Sequence, residues 1–340
     1  MGAEDWVVVD GNTVAERLGL GPRREAWLQS LDRVAPSATF ALPDSDHAAD
    51  LLALLAIPPE DADAVLSVWP DPERDPEIWW LLERCHARLV TAIGDVDAVV
   101  ECPPLPRALS LRGRCFWVFA FASMVPVTRE LHARRGVPDE VSRATLADLG
   151  QQMVIHRRRH DSVGLDLQWW LVPHFLGTLY ALGRLQFHLY RLRCSIAGPA
   201  FWPDSDEPGF RHGDATLGIH IPAIGALTPE SCDASFAAAR SFVDEHFPEH
   251  DFRVGTCTSW LLDDQLASCL PADSNIVQFQ RRFHVVDGAA DDSRDTLLFV
   301  FDRVPESFDD LPQRTTLERA IVQHLRAGGR WRTRTGWVEL

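Results

Sequence analysis

The hydrophobic period of this chain changes once, near Gly164, and the change restricts it to a helical part followed by a strand-bearing part. Upstream, apolar residues recur at three- and four-residue spacing in 14–31, 47–55, 76–93 and 142–159. Breaks at Ile57-Pro58-Pro59, Trp69-Pro70-Asp71-Pro72 and Cys102-Pro103-Pro104 separate these runs, since proline offers no N–H to a helix interior. The pattern predicts short amphipathic helices. In 76–93, the shared face of Trp79, Trp80, Leu82, Cys85, Leu89 and Ala92 reads as packed core rather than an aromatic cofactor box.

Downstream, alternation of period two predicts strands in 180–193, 215–222, 252–262, 275–286 and 296–302. Helical spacing marks 228–246, 263–270 and 314–327, before a terminal extended piece at 330–340. The reading is an α+β protein with an all-helical domain at 1–164 and a mixed α/β domain at 165–340. A Pro/Gly/Asp-rich loop, 194–214, joins the first two strands.

Composition narrows the function classes. With 340 residues, 46% of them hydrophobic, the chain can bury a core in each of two domains. Its 33 basic residues stand against 49 acidic ones, a formal charge of -16 that disfavours nucleic acid and anionic membranes as partners and suits an amine-bearing one. The seven cysteines are scattered without a CxxC pair, as in reduced cytoplasmic proteins. The acidic start, MGAEDWVVVDG, lacks the regions of a signal peptide, and no apolar run reaches the roughly 20 residues of a membrane span. A cytoplasmic location is expected.

Period two also tells which side chains share a face. In 182–192, Leu185, Phe187 and Leu189 are apolar, whereas Arg184, Gln186, His188 and Tyr190 are polar. In 216–222, Leu217, Ile219 and Ile221 oppose Thr216, Gly218 and His220. If these strands are neighbours, Arg184, Gln186, His188 and His220 converge; the plain alternative is a solvated sheet face. The chain then turns through Ile221-Pro222-Ala223-Ile224-Gly225-Ala226-Leu227 into a helix with Thr228 as N-cap and Pro229 at its first position. Free N–H groups at such a start attract anions, and Gly225 permits close approach.

The strand 253–263 carries Thr256, Cys257, Thr258 and Ser259 where a buried strand would carry Val or Ile. Cys257 reads either as a nucleophile beside His188 or His220 or as a small buried hydrophobe. His156 and His160 have the i, i+4 spacing of metal ligands but flank Arg157-Arg158-Arg159 and have no third ligand at diagnostic spacing, so no metal is expected. Phosphate-loop, dinucleotide and GxSxG fingerprints are absent from the sequence.

Four phrases stand in order along the second half. They are Leu182-Gly183-Arg184-Leu185-Gln186-Phe187; Gly218-Ile219-His220-Ile221-Pro222 with Leu227-Thr228-Pro229-Glu230; Ser259-Trp260-Leu261-Leu262-Asp263; and Asp273-Ser274-Asn275-Ile276-Val277-Gln278-Phe279. Together they resemble a family of acyltransferase-domain proteins that joins a helical N-terminal domain to a GNAT-like C-terminal one, and the resemblance spans nearly the whole chain. It implies a central, mostly antiparallel sheet. It also implies acyl transfer from acyl-CoA, or from the phosphopantetheine of an acyl carrier protein, to an amine of a small molecule or peptide in secondary metabolism, with no tightly bound cofactor. On this mapping His220 or His188 is the base, and Cys257 and Ser259 are further catalytic candidates. Ile221, Ala223, Gly225, Ala226, Leu227 and Thr228 receive the coenzyme; Arg184, Gln186, Thr258, Trp260 and Asn275 meet substrate. Two other readings stay open: a GNAT fold turned to hydrolysis or cyclisation through His188, His220 and Cys257, and a non-enzymatic protein that binds a metabolite or an acylated carrier.

Overall fold

A computed structural model describes residues 10–106, 109–192, 209–286 and 293–340. Most of the 194–214 loop lies outside these residues. The chain divides between Thr178 and Leu179 into two compact units.

The first unit is helical: α1 (Gly11–Arg17), α2 (Glu25–Asp32), α3 (Ala48–Leu54), α4 (Pro59–Ser67), α5 (Pro76–Thr91), α6 (Ser110–Arg134), α7 (Asp139–Leu146), α8 (Asp148–His160) and α9 (Gln168–Leu176). Its centre is α6, which helical spacing misses because Cys115 to Val125 is buried on every side and no polar stripe breaks the run. Phe121 of α6 stacks on Phe175 of α9, ring centroids 4.7 Å apart, and Thr128 donates to the Phe175 carbonyl at 2.6 Å. These contacts tie α9 to the helical unit, which therefore ends at Thr178 rather than at residue 164. Gly19 and Gly21 bracket the break that divides 14–31 into α1 and α2, with Gly19 at φ +61°. Among the described residues, no helix is long and apolar enough to cross a membrane.

The second unit is built on a sheet of β1 (Leu179–Leu182), β2 (Leu185–Arg191), β3 (Ala215–His220), β4 (Val254–Ser259), β5 (His284–Val285) and β6 (Arg334–Glu339), in the order β1-β2-β3-β4-β6-β5. Every pairing is antiparallel except β3 with β4. The 18-residue α10 (Pro229–His246) links those two parallel strands. It covers the apolar face: Phe236 meets Phe187 with centroids 6.0 Å apart, and Phe242 meets Tyr180 at 4.7 Å. Burying an aromatic side chain of this kind contributes about 2–3 kcal/mol, so the pairing of α10 with the sheet is set largely by these rings.

Three expected strands resolve differently. The run 180–193 is a hairpin, because Gly183 at φ +73° reverses the chain between β1 and β2. Residues 275–280 form α12 (Asn275–Gln280), preceded by α11 (Gln265–Cys269); Ser274 caps α12. There Ile276, Phe279 and Phe283 follow three- and four-residue spacing, while Val277, Phe279 and Phe283 follow alternation. Residues 296–302 lie mostly in α13 (Arg294–Phe301), where Leu297, Val300 and Phe301 face one core. That core also holds Ile321 and Leu325 of α14 (Thr316–Arg326), together with the fully buried Trp331.

Candidate active site

Register decides which residues of the sheet meet. Gln186 stands opposite His220, His188 opposite Gly218 and Tyr190 opposite Thr216, while Gly218 aligns with Thr256 across the parallel pair. Cross-strand partners share a face. Gln186, His188, Tyr190, His220, Thr256 and Thr258 therefore stand on the side of the sheet opposite α10, as the alternation predicts for the histidines and Gln186. The His188 and His220 rings lie 6.1 Å apart, and His188 and Tyr190 5.7 Å.

Gly218 lies beneath this cluster. A methyl group there would sit 3.0 Å from Cε1 of Tyr190, 3.2 Å from Nε2 of His220 and 3.4 Å from Cβ of His188. Lacking a side chain, Gly218 lets Tyr190 pass over β3 and hydrogen-bond to the hydroxyl of Thr256 on β4. Burial raises the Tyr190 phenol above its ordinary value and outweighs the bond from Thr256, so the hydroxyl keeps its proton near neutral pH. Tyr190 and Thr256 belong with the cluster although the sequence reading did not single them out as site residues; their even-numbered places on β2 and β4 were the available signal.

Beyond Gly218 and Thr256 the parallel ladder stops, although β3 continues to His220 and β4 to Ser259. Two strands that part in this way leave backbone groups able to pair with an extended ligand. His220 stands where they separate. The chain then leaves β3 through Ile221 and the exposed residues 223–226, with Gly225 at φ +53°, and enters α10 at Thr228, whose Oγ1 accepts from the Ser231 N–H at 3.2 Å.

Other candidates fall elsewhere. Cys257 occupies the apolar face, away from both histidines; it is 2% exposed, and desolvation pushes its thiol up to about 12. A thiol so raised stays protonated, which opposes a nucleophilic role. Ser259, on the same side of β4 as Cys257, uses its hydroxyl to cap the turn at Trp260–Leu262, accepting from the Leu261 N–H at 3.1 Å. Trp260 belongs to the core with Leu266 and Trp331. Asn275 begins α12, on the α10 side, where Phe283 meets Phe279 and Phe236. Thr258 shares its hydroxyl with Thr335 at 2.8 Å on the polar face. Arg184 lies in the hairpin turn rather than on the strand, and its guanidinium reaches the loop after β3.

In the helical unit, the fold supplies a partner for His156 and His160 that sequence spacing does not reveal. Asp166 meets His156 Nδ1 at 3.1 Å and His160 Nε2 at 2.5 Å. Burial opposes the charge of Asp166, but the hydrogen bonds of the two imidazoles outweigh it and hold the carboxyl at about 2. The triad fastens the segment after α8 back onto that helix.

The fold agrees with what is found in known proteins. Residues 179–338 match the family model of a GNAT-like C-terminal domain, and 46–177 that of an N-acyltransferase N-terminal domain. Among solved structures, an acyltransferase in complex with decanoyl-CoA and teicoplanin is 42% identical, covers 98% of this chain and 100% of its own, and superposes with a TM-score of 0.87. An acyltransferase in complex with decanoyl-CoA is 38% identical over the same shares, with a TM-score of 0.88. An acyltransferase in complex with CoA and 10C-teicoplanin is 41% identical, again over 98% and 100%, with a TM-score of 0.87. A search of curated protein sequences found no match. Family models that together span most of the chain, and full-length relatives above 30% identity, agree: this chain belongs to the acyltransferase family that pairs an N-acyltransferase N-terminal domain with a GNAT-like C-terminal domain, and it is an acyltransferase enzyme.

Proposed function

We propose that this enzyme transfers a medium-length acyl group from acyl-CoA to an amine of a teicoplanin-like small molecule. The observation that carries the reading is the 42% identity, across 98% of the chain, to an acyltransferase that holds decanoyl-CoA and teicoplanin together. The polar sheet face supports it with groups for each proton. His220 takes a proton from the acceptor ammonium, and the freed amine attacks the thioester carbonyl, forming C–N as C–S breaks. The departing thiolate takes a proton from Tyr190, which lies over the same glycine as His220. The attacking nitrogen sheds its second proton, which restores Tyr190, and the proton held by His220 leaves to solvent, so one proton is released for each amide formed. Hydrolysis or cyclisation through Cys257 loses its basis, because that thiol lies on the other face of the sheet. We place the reaction in the cytoplasm, consistent with the free cysteines among the described residues.

Mass spectrometry of the protein incubated with decanoyl-CoA and a deacylated teicoplanin-like amine tests the reading. Decanoylated acceptor and free CoA in equal amounts are expected. Release of decanoate with the acceptor unchanged would make the enzyme a hydrolase, and retention of both ligands unreacted would make it a binding protein. Turnover with a decanoyl carrier protein but not with decanoyl-CoA would reassign the donor.

A further inference from the structure

We propose that Arg184 is the positioning residue of the coenzyme loop: its guanidinium gathers the loop carbonyls to one side and thereby turns the N–H groups of Ala223, Ala226 and Leu227 toward the diphosphate of the donor. The inference rests on the acyl-CoA reading above and assigns a residue that touches the loop rather than the substrate. Arg184 Nη1 donates to the Pro222 carbonyl at 3.0 Å, Nε to Ala226 at 3.1 Å and Nη2 to Gly225 at 3.4 Å. The chain contains no cis peptide among the described residues, and in a trans peptide the C=O and the following N–H point in opposite directions. Carbonyls 222, 225 and 226 turned to Arg184 therefore aim the N–H groups of 223, 226 and 227 away from it. None of those three N–H groups donates to a protein acceptor among the described residues.

The base of the clamp is fixed. Arg184 and Leu185 donate their own N–H groups to Ser235 Oγ of α10, at 2.8 and 3.3 Å, so the backbone that carries the guanidinium is anchored to the helix whose start adjoins the loop. Gly183 turns there at φ +73°, and a side chain at that position would come within 2.9 Å of the same oxygen. Charge works in the same direction. Carbonyl oxygens facing a diphosphate would repel it, whereas here their negative ends lie against a cation. Arg282, which also reaches the start of α10 at the Pro229 carbonyl, is paired with Asp233 at 2.6 Å; Arg184 makes no ion pair among the described residues. A planar fork spans three carbonyls, and a lysine ammonium at the end of a flexible stem does not reproduce that geometry.

The experiment compares decanoyl-CoA with decanoyl-pantetheine, which carries the same thioester and no diphosphate, in the wild-type full-length enzyme and in Arg184→Met and Arg184→Lys. Wild type is expected to prefer decanoyl-CoA. In Arg184→Met, KM for decanoyl-CoA rises about 30-fold with kcat changed by about twofold at most, while kcat/KM for decanoyl-pantetheine stays within about twofold. Arg184→Lys recovers less than about a third of the lost affinity. Equal losses with both donors would overturn the assignment in favour of a general structural role, and full rescue by lysine would reduce it to a point charge. Should Arg184→Met fail to fold, calorimetric titration of Arg184→Lys with CoA and with pantetheine poses the same question. A wild-type enzyme indifferent to the diphosphate would instead overturn the acyl-CoA reading itself.

Discussion

In the helical unit, His86 lies between Ser123 and Thr39, its ring nitrogens 3.0 and 3.1 Å from their hydroxyls, and His132 rests on Ser142 at 2.8 Å. In the mixed unit, His188 and His220 stand partly buried above a glycine, on the sheet face opposite α10. The first pair is 0% and 1% exposed, and desolvation drives each ring to about 4, helped at His132 by Arg129. The same side chain thus serves packing in one region, and in the other takes the proton-transfer role we propose for it. Burial separates them: the helix core surrounds His86 and His132 with hydroxyl partners, whereas His188 and His220 keep partial exposure on the sheet face opposite α10.

The sharpest separation of the two uses comes from pH. His86 and His132 titrate near 6.5 when unfolded and near 4 when folded, so between those values the unfolded chain binds the extra protons. Stability is full above pH 6.5, falls as pH drops toward 4, and loses nothing further from these rings below that. Each ring accounts for at most about 3 kcal/mol. Urea unfolding from pH 7.5 to 4 is expected to show this decline, and His86→Gln with His132→Gln to flatten it. An unchanged slope in the double variant would mean that carboxylates rather than buried imidazoles set acid stability.

Next in size is His220→Ala. Loss of a general base lowers kcat by about 10²- to 10⁴-fold. Because the ring is partly exposed rather than enclosed in a core, thermal unfolding should shift by no more than about 2 °C, a small fraction of domain stability. Full activity in this variant would transfer the role to His188, and a large fall in melting temperature would mean that His220 resembles His86 after all.

This contrast was partly legible in the sequence. Alternation placed His188, His220 and Gln186 together because two adjacent strands kept period two without a bulge, and the register of Gln186 with His220 preserved it. The same rule, applied to β4, separates Thr256 from Cys257 and sets the thiol on the face opposite the histidines. Arg184 looked like one more residue of the polar face; it belongs to a turn, and only the fold shows that a residue 38 positions before Pro222 binds its carbonyl. The central helix α6 escaped notice for the opposite reason, since a helix buried all round has no amphipathic signature. Short α12 and α13 satisfy both periods over six and eight residues, too few to choose between them.

The smallest effects distinguish a residue that supports the fold from one that also supports the site. Thr228 and Thr315 are both threonine N-caps: Thr228 Oγ1 accepts from Ser231 N–H at 3.2 Å, and Thr315 Oγ1 from Glu318 N–H at 3.1 Å, while the Glu318 carboxylate accepts from the Thr315 N–H at 2.9 Å. Replacing either by alanine removes a cap worth about 1 kcal/mol, so similar falls in unfolding free energy are expected. Their kinetic consequences should differ. Thr315 begins α14, which packs on Trp331 away from the histidines, and Thr315→Ala should leave KM for decanoyl-CoA unchanged. Thr228 adjoins the loop that Arg184 organises, and fraying α10 there lets the N–H groups of Ala226 and Leu227 swing, raising that KM about threefold to tenfold at constant kcat. Equal KM values in the two variants would mean that the loop holds its shape without the helix start, leaving Arg184 as its sole organiser.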